Sequence, residues 1–389
     1  MKVLHIIPSV SLKRGGPSQA VVEMVKALRK EGIDASILST EDNGMYRENI
    51  FSPGWNYLSE VPILIQPCFD SRVHMLREYL ISPRLTSWLM DNAKKYDLLH
   101  IHAIFSYPST ASMTIARFLR VPYIIRTIGQ LNSWSLSQSP IKKKFMYYAI
   151  EKGNLKNAKA IHVTSSIERE DIEKLNLGTP IIQVGLGVEM PDSGIVLDRR
   201  RSNLAVTKFL YLSRLHPKKQ IEMLLESLSI LKYSHHRDDW ALIIAGTGDL
   251  NYCEYLQKLA DDLRIEPHIE WLGHVQGKEK QALFRNSDWF VLPSAGENFG
   301  ISTVEAMAAG LPVIITDKVG VAENVATHQA GLLCGSTAEE LSDVLKRSLH
   351  GPSLQMKRAA RSLVECNYSW NQIVKELIAH YEKFTLARE

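Results

Sequence analysis

Ser294-Ala-Gly-Glu-Asn-Phe-Gly-Ile-Ser-Thr-Val-Glu305 follows the apolar run Trp289-Phe-Val-Leu-Pro293 and continues into Ala306-Met-Ala-Ala309. An apolar run, a glycine-bearing turn and a helical start make one strand–loop–helix step of a parallel sheet. Glu297 then lies in the loop and Glu305 on the helix. Gly300 lets a ligand approach the backbone closely, and the amides after it form an uncapped helix N-terminus suited to an anion such as a diphosphate. Carboxylates on both sides of such a cradle suggest that the anion is attached to something rich in hydroxyls, and a nucleotide sugar fits. The competing reading is an ordinary strand-to-helix loop carrying surface glutamates.

The same alternation of short apolar runs and amphipathic stretches extends along the chain, as in βαβ units. The strand candidates of the first half are Val3–Ile7, Ala35–Ser39, Leu98–Ile101, Tyr123–Arg126, Ala160–Thr164 and Ile181–Val184. Around Gly185–Arg201 the pattern breaks into Gly, Pro, Asp and arginines, which places a linker at 188–200. A second series follows at Lys208–Leu212, Ala241–Ala245, His268–Trp271, Trp289–Leu292, Val313–Thr316 and Gly331–Cys334. The expected fold class is α/β, with two Rossmann-like, doubly wound parallel-sheet domains at 1–187 and 201–368. Their strand C-termini, and hence their binding loops, would face each other across a cleft. The segment between about Asn43 and Asp70 has weak periodicity and is expected to be irregular.

Bulk properties agree with two domains, since 389 residues exceed one ordinary core. Residues 1–185 carry 23 Lys and Arg against 16 Asp and Glu, and the remainder carries 23 against 26. A basic first half suits an anionic partner, an acidic lipid surface before nucleic acid. Cys68, Cys253, Cys334 and Cys366 are far apart and form no C-x-x-C pair, which argues against a zinc site or a disulfide framework and for a reducing cytosol. The apolar start Met1–Ile7 is short and ends at Pro8, so it is expected to be a buried strand rather than a leader. No run of about 18 apolar residues exists to span a bilayer, so any membrane contact would be peripheral.

Several loops fall where parallel sheets bind ligands. Ser11-Leu-Lys-Arg-Gly-Gly-Pro-Ser18 offers Gly15 and Gly16 for close approach, with Pro17 starting a helix. Ser213-Arg-Leu-His-Pro-Lys-Lys-Gln220 places Arg214, Lys218 and Lys219 at a helix start, where the macrodipole disfavours cations. An anion held among them would relieve that conflict. Ile244-Ala-Gly-Thr-Gly-Asp249 gives Gly246 and Gly248 at a strand end, suited to a phosphate or ribose, and Trp271-Leu-Gly-His-Val275 exposes backbone at His274 and Val275 for a base edge.

Together these segments resemble glycosyltransferase family 4, retaining enzymes of the GT-B fold. The Glu-x7-Glu element is matched at Glu297 and Glu305, and the Arg/Lys element at Arg214 and Lys219. The family usually has glycine before that arginine and after that lysine, where this chain has Ser213 and Gln220. Gly-Gly-Pro-Ser at 15–18, His100-x-His102 and Val163-Thr-Ser-Ser166 also resemble the family, and the likeness runs nearly end to end. It implies that the final helix, within 369–389, crosses back to the N-terminal domain.

The resemblance implies a retaining hexosyl transfer from a nucleotide sugar, UDP-glucose being the default, to a sugar or lipid-linked acceptor in exopolysaccharide or glycolipid synthesis. No Asp-x-Asp pair is present, so no metal or cofactor is expected. Arg214, Lys219 and the helix start at Gly300–Ser302 would neutralise the leaving diphosphate. Glu305 would accept from ribose hydroxyls, and Glu297 would lie on the sugar's side with the amides of Phe299, Gly300 and Ile301. His102 would approach the transferred sugar, whereas His100 is expected on the opposite face of its strand in a structural role. The acceptor lining is expected at Arg126, Asn132 and Trp134, and the basic, aromatic stretch Ile141-Lys-Lys-Lys-Phe-Met-Tyr-Tyr148 would suit an anionic membrane. The expected location is cytoplasmic, with peripheral contact at the inner membrane face and no nucleic-acid partner. Two rivals are a nucleotide-sugar 2-epimerase on the same fold and a non-catalytic nucleotide-sugar binder.

Overall fold

A computed structural model describes residues 1–43, 52–69, 78–132, 144–191 and 206–386 of the chain. It divides into two compact units, Met1–Gly187 with Trp370–Glu389, and Val188–Ser369.

Unit 1 is built on an eight-stranded sheet. Its strands are β1 Lys2–Ser9, β2 Asp34–Thr40, β3 Gly54–Leu58, β4 Val61–Gln66, β5 Leu98–His102, β6 Tyr123–Arg126, β7 Ala160–Val163 and β8 Ile181–Gln183, in the order β3-β4-β2-β1-β5-β6-β7-β8. Every neighbouring pair is parallel except β3–β4. Burial on both faces explains the unbroken apolar runs: Val3, Leu4 and Ile6 are inaccessible to solvent. The hairpin β3–β4 lies inside the stretch expected to be irregular. Its turn uses Ser59 and Glu60, both at positive φ (50° and 70°), in place of the Asn-Gly or Asp-Gly pairs that signal such turns.

Unit 2 holds six parallel strands, β9 Thr207–Leu212, β10 Trp240–Ala245, β11 Ile269–Gly273, β12 Trp289–Leu292, β13 Val313–Thr316 and β14 Gly331–Cys334, ordered β11-β10-β9-β12-β13-β14. The strand order reverses between β1 and β5 in unit 1 and between β9 and β12 in unit 2. Ligands of open parallel sheets bind beyond the strand ends at such reversals. In unit 2 that rule singles out the loops Ser213–Gln220 and Pro293–Gly300.

The helix Trp370–Thr385 belongs to unit 1, where the Tyr381 hydroxyl and His100 Nδ1 are 2.7 Å apart. Where the chain leaves unit 1, Gly187 faces the Trp370 ring so closely that a Cβ would stand 2.2 Å from it. The segment expected to be a linker begins inside unit 2: Val188 donates its N–H to the Tyr368 carbonyl at 2.9 Å. Its remainder, 192–200, lies outside the described residues.

Candidate active site

The loops after β9 and β12 are joined through one carbonyl. Lys218 C=O accepts from the Ala295 amide at 2.9 Å and from Ser294 Oγ at 3.0 Å. The loop after β13 holds the other side, since the Glu297 amide donates to Lys318 C=O and the Gly320 amide to Glu297 C=O, both at 2.9 Å. These bonds carry the Glu297 carboxylate onto the Lys219 ammonium, with 18% and 14% of their side chains exposed. Arg214 lies exposed on the same loop. Burial first, then the positive charges of Arg214 and Lys218, pull Lys219 down to about 7. The touching carboxylate acts in the opposite sense, so the pair is held as ammonium and carboxylate.

Gln220 adopts φ 55°, ψ 46°, between the turn Pro217–Lys219 and the helix Ile221–Tyr233. This left-handed position is where the family usually has glycine, and Gln220 fills it at a strain of roughly 1–2 kcal/mol. Gly300, at φ 90°, starts the helix Ile301–Ala308 without a side-chain cap, and a Cβ there would stand 2.8 Å from Val319 Cγ1. An uncapped helix start carries the positive end of the helix dipole, which favours an anion there.

Glu305, one turn along that helix, accepts from Lys280 Nζ at 2.8 Å. Lys280 had no place among the expected site residues. Its signal was a lysine four positions before Phe284, on the inward face of the helix Gly277–Asn286.

Gly246 and Gly248 have a different explanation from the one expected. A Cβ on Gly246 would lie 1.8 Å from Ser213 O, and one on Gly248 would lie 2.1 Å from Leu215 O. The two glycines let the loop after β10 press its backbone on the loop after β9, where the Leu215 amide donates to Thr247 C=O at 2.9 Å. They shape the cation-bearing loop from behind. His274 is exposed and Val275 buried just beyond β11. The Phe299 ring is buried edge-on against Tyr368, centroids 5.4 Å apart, so only its backbone is left for a ligand. Ile301 is half-buried at the helix start.

In unit 1, Gly15 takes φ 92° as the residue before the helix Gly16–Lys30. Its loop is pinned by Arg14, whose Nε and Nη2 donate to Asp42 at 2.7 and 2.8 Å. His102 does not present its ring at a surface. It is fully buried, with Nε2 3.1 Å from His5 Nδ1. The face expected for His100 was also wrong, although its buried, hydrogen-bonded place fits the structural role expected of it. Residues two apart on a strand share a face, and the His100 and His102 rings lie 4.2 Å apart.

His5, His100, His102 and His162, all inaccessible, form a polar stripe across the sheet with Arg126. Its hydrogen bonds fix the tautomers. His162 Nε2 is 2.8 Å from Val184 C=O and must donate, so its Nδ1 accepts from His100 Nε2 at 3.2 Å, and His100 Nδ1 accepts from the Tyr381 hydroxyl. One nitrogen of each of His5, His100 and His102 lies within 4.8 Å of the others, a spacing open to a metal ion. Both nitrogens of His100 are already engaged, and Arg126 adds a positive charge, so the cluster reads as hydrogen-bonded interior.

Arg126 is 1% exposed, its Nε and Nη1 unpartnered among the described residues, and burial lowers it to about 10. It lies inside the unit rather than lining an acceptor surface. Asn132 is half-buried, and Trp134 lies outside the described residues. The loop after β6 is instead shaped by the buried carboxylate Glu168, unforeseen from the sequence, which accepts from Thr127 Oγ1 at 2.8 Å and the Gly129 amide at 2.7 Å. Of the basic aromatic stretch, Lys142 and Lys143 lie outside the described residues, while Phe145 and Tyr148 are 73% and 62% exposed.

Comparison with known proteins adds to this geometry. Residues 15–187 match the family described as "Glycosyl transferase 4-like domain", and residues 198–363 match "Glycosyl transferases group 1". The phosphatidyl-myo-inositol mannosyltransferase of Mycobacterium leprae is 28% identical over 387 residues, 98% of this chain and 96% of that one. Among solved structures, a sucrose-phosphate synthase from Thermosynechococcus elongatus superposes with a TM-score of 0.78 over all of both chains, at 18% identity. Anabaena HepE, in complex with UDP and glucose, gives 0.72 over 98% of this chain and all of that one, at 17% identity.

Proposed function

The chain is a glycosyltransferase of the GT-B fold and the family 4 type, and from that premise we propose that unit 2 takes a nucleotide sugar and passes its hexose on with retention. The observation that carries this reading is the convergence of Lys219, Glu297, Arg214 and the uncapped helix start at Gly300 at the sheet reversal. Arg214, Lys219 and the amides at Gly300–Ser302 bind the diphosphate and neutralise the charge that grows as the sugar leaves, so the step needs no divalent ion. Glu305 accepts from the ribose, and Glu297 lies on the sugar's side. A UDP-sugar is favoured, with UDP-glucose the default, and the Anabaena complex with UDP and glucose supports that choice. The acceptor is a sugar or lipid-linked glycan taken up by unit 1, as in glycolipid or exopolysaccharide synthesis. The name of the mycobacterial relative, a phosphatidyl-myo-inositol mannosyltransferase, supports a lipid-linked acceptor.

Thermal unfolding with UDP-, GDP- and ADP-sugars, in chelator and in magnesium, tests the donor half. A matching donor at a hundred times its Kd should stabilise the fold by about 2.7 kcal/mol. The shift should be equal in both media. No shift with any donor removes the donor site, and a shift seen only with magnesium removes the metal-free mechanism.

For unit 1 the reading includes contact with an anionic membrane. It is supported by exposed Phe145 and Tyr148 beside Lys144, and by Lys152, whose Nζ lies 5.4 Å from the Tyr148 ring centroid. Flotation with vesicles rich in phosphatidylglycerol should carry the protein, and F145S/Y148S should release it. Flotation that ignores both lipid charge and these residues ends the idea.

A further inference from the structure

We infer that Lys280 is a positioning residue for the donor's ribose, acting through Glu305; the inference rests on the reading of Glu305 as the ribose carboxylate. Lys280 belongs to the helix Gly277–Asn286, whose inward face is marked by buried Phe284 one turn later. Its neighbours Lys278 and Glu279 are exposed, whereas the Lys280 side chain is 19% exposed. An inward lysine gives up hydration that an apolar residue would not. What it gains is the Glu305 carboxylate, itself 23% exposed, at 2.8 Å from its ammonium. The described residues make no other hydrogen bond or ion pair to either side chain.

Two consequences follow for a nucleotide. Lys280 holds Oε1 of Glu305, which leaves Oε2 as an oriented acceptor for a ribose hydroxyl. It also cancels a negative charge that would otherwise face a diphosphate bound at Lys219 and Gly300. Each site glutamate thus carries its own lysine, Glu297 with Lys219 and Glu305 with Lys280. The substrate class implied is a ribonucleotide donor, discriminated from its 2′-deoxy counterpart by a carboxylate that Lys280 aims.

The test measures calorimetric affinity for UDP, GDP and ADP, keeps the tightest, and adds its 2′-deoxy form and inorganic pyrophosphate. K280M should weaken the ribonucleotide about tenfold, the loss of one charge-supported hydrogen bond. It should also narrow the gap between ribo and deoxy forms while leaving pyrophosphate within about threefold. K280R should restore the ribonucleotide affinity, and K280M/E305Q should bind no more weakly than E305Q alone. A K280M affinity equal to wild type would overturn the inference. So would an equal loss for pyrophosphate, which would make Lys280 a phosphate contact. If E305Q alone binds like wild type, the ribose reading of Glu305 falls, and the role of Lys280 falls with it.

Discussion

Lys219→Ala is expected to lower turnover about a hundredfold at saturating donor, the effect of removing one preorganised charge from a developing anion. The loss should fall on kcat more than on KM. The ammonium is worth more as the sugar–phosphate bond breaks and charge builds on the diphosphate than in the ground state. Lys219 is suited to the task because the loop after β9 has already removed much of its water. Burial and the cations Arg214 and Lys218 pull its pKa down to about 7, and the touching Glu297 carboxylate opposes them. A diphosphate adds negative charge beside an ammonium that burial and two cations weaken. Glu297→Gln takes the restraint away, so the ammonium should then be lost as pH rises through about 7. Nucleoside diphosphate binding by that variant should weaken above neutrality while wild type holds. Normal turnover in K219A would remove the lysine from the mechanism.

Unit 1 is expected to unfold in mild acid well before unit 2. His5 and His162 are lowered to about 3 by burial and by Arg126 and their neighbours, and His100 and His102 lie well below the ordinary 6.5. All four must stay neutral in the folded state and charge in the unfolded one, so the unfolded chain binds more protons. Their contribution is intact above about pH 6.5 and is lost as pH falls from there toward 3. Each histidine removes about 1.4 kcal/mol per pH unit below 6.5, and four together about 5–6 kcal/mol. A domain of ordinary stability, about 5–15 kcal/mol, is spent within one to three pH units. Hydrogen exchange should therefore show the β1, β5 and β7 amides losing protection near pH 3.5–5.5 while β9 and β12 keep theirs. H162Q should reduce the proton uptake on unfolding by about one. Full protection of unit 1 at pH 3.5 would contradict this account.

Much of this architecture could be read from residues alone because parallel strands buried on both faces are continuous apolar runs. Trp289–Leu292 and Val313–Thr316 were located to the residue on that basis. The hairpin β3–β4 escaped because Ser59 and Glu60 make its turn without glycine, and because exposed Trp55 and Tyr57 on β3 blur its periodicity. Gly246 and Gly248 show why a glycine at a strand end is ambiguous. The same absence of a side chain serves a phosphate or a neighbouring backbone, and only the position of Ser213 and Leu215 decides. His100 shares a face with His102 because side chains on a strand repeat every two residues. The stripe it belongs to joins residues from four strands and the terminal helix, a juxtaposition no local pattern carries. Lys280 was missed for the same reason, since its partner is 25 residues away on another helix.

The most direct test of the central claim, that fixed cations and helix-start amides hold the departing nucleotide, is a crystal structure with the nucleoside diphosphate bound in the presence of magnesium. The account predicts phosphate oxygens within about 3 Å of Lys219 Nζ, the Arg214 guanidinium and the amides that follow Gly300. A pyrophosphate lodged elsewhere, or bridged to carboxylates by the metal with Lys219 uninvolved, would contradict it.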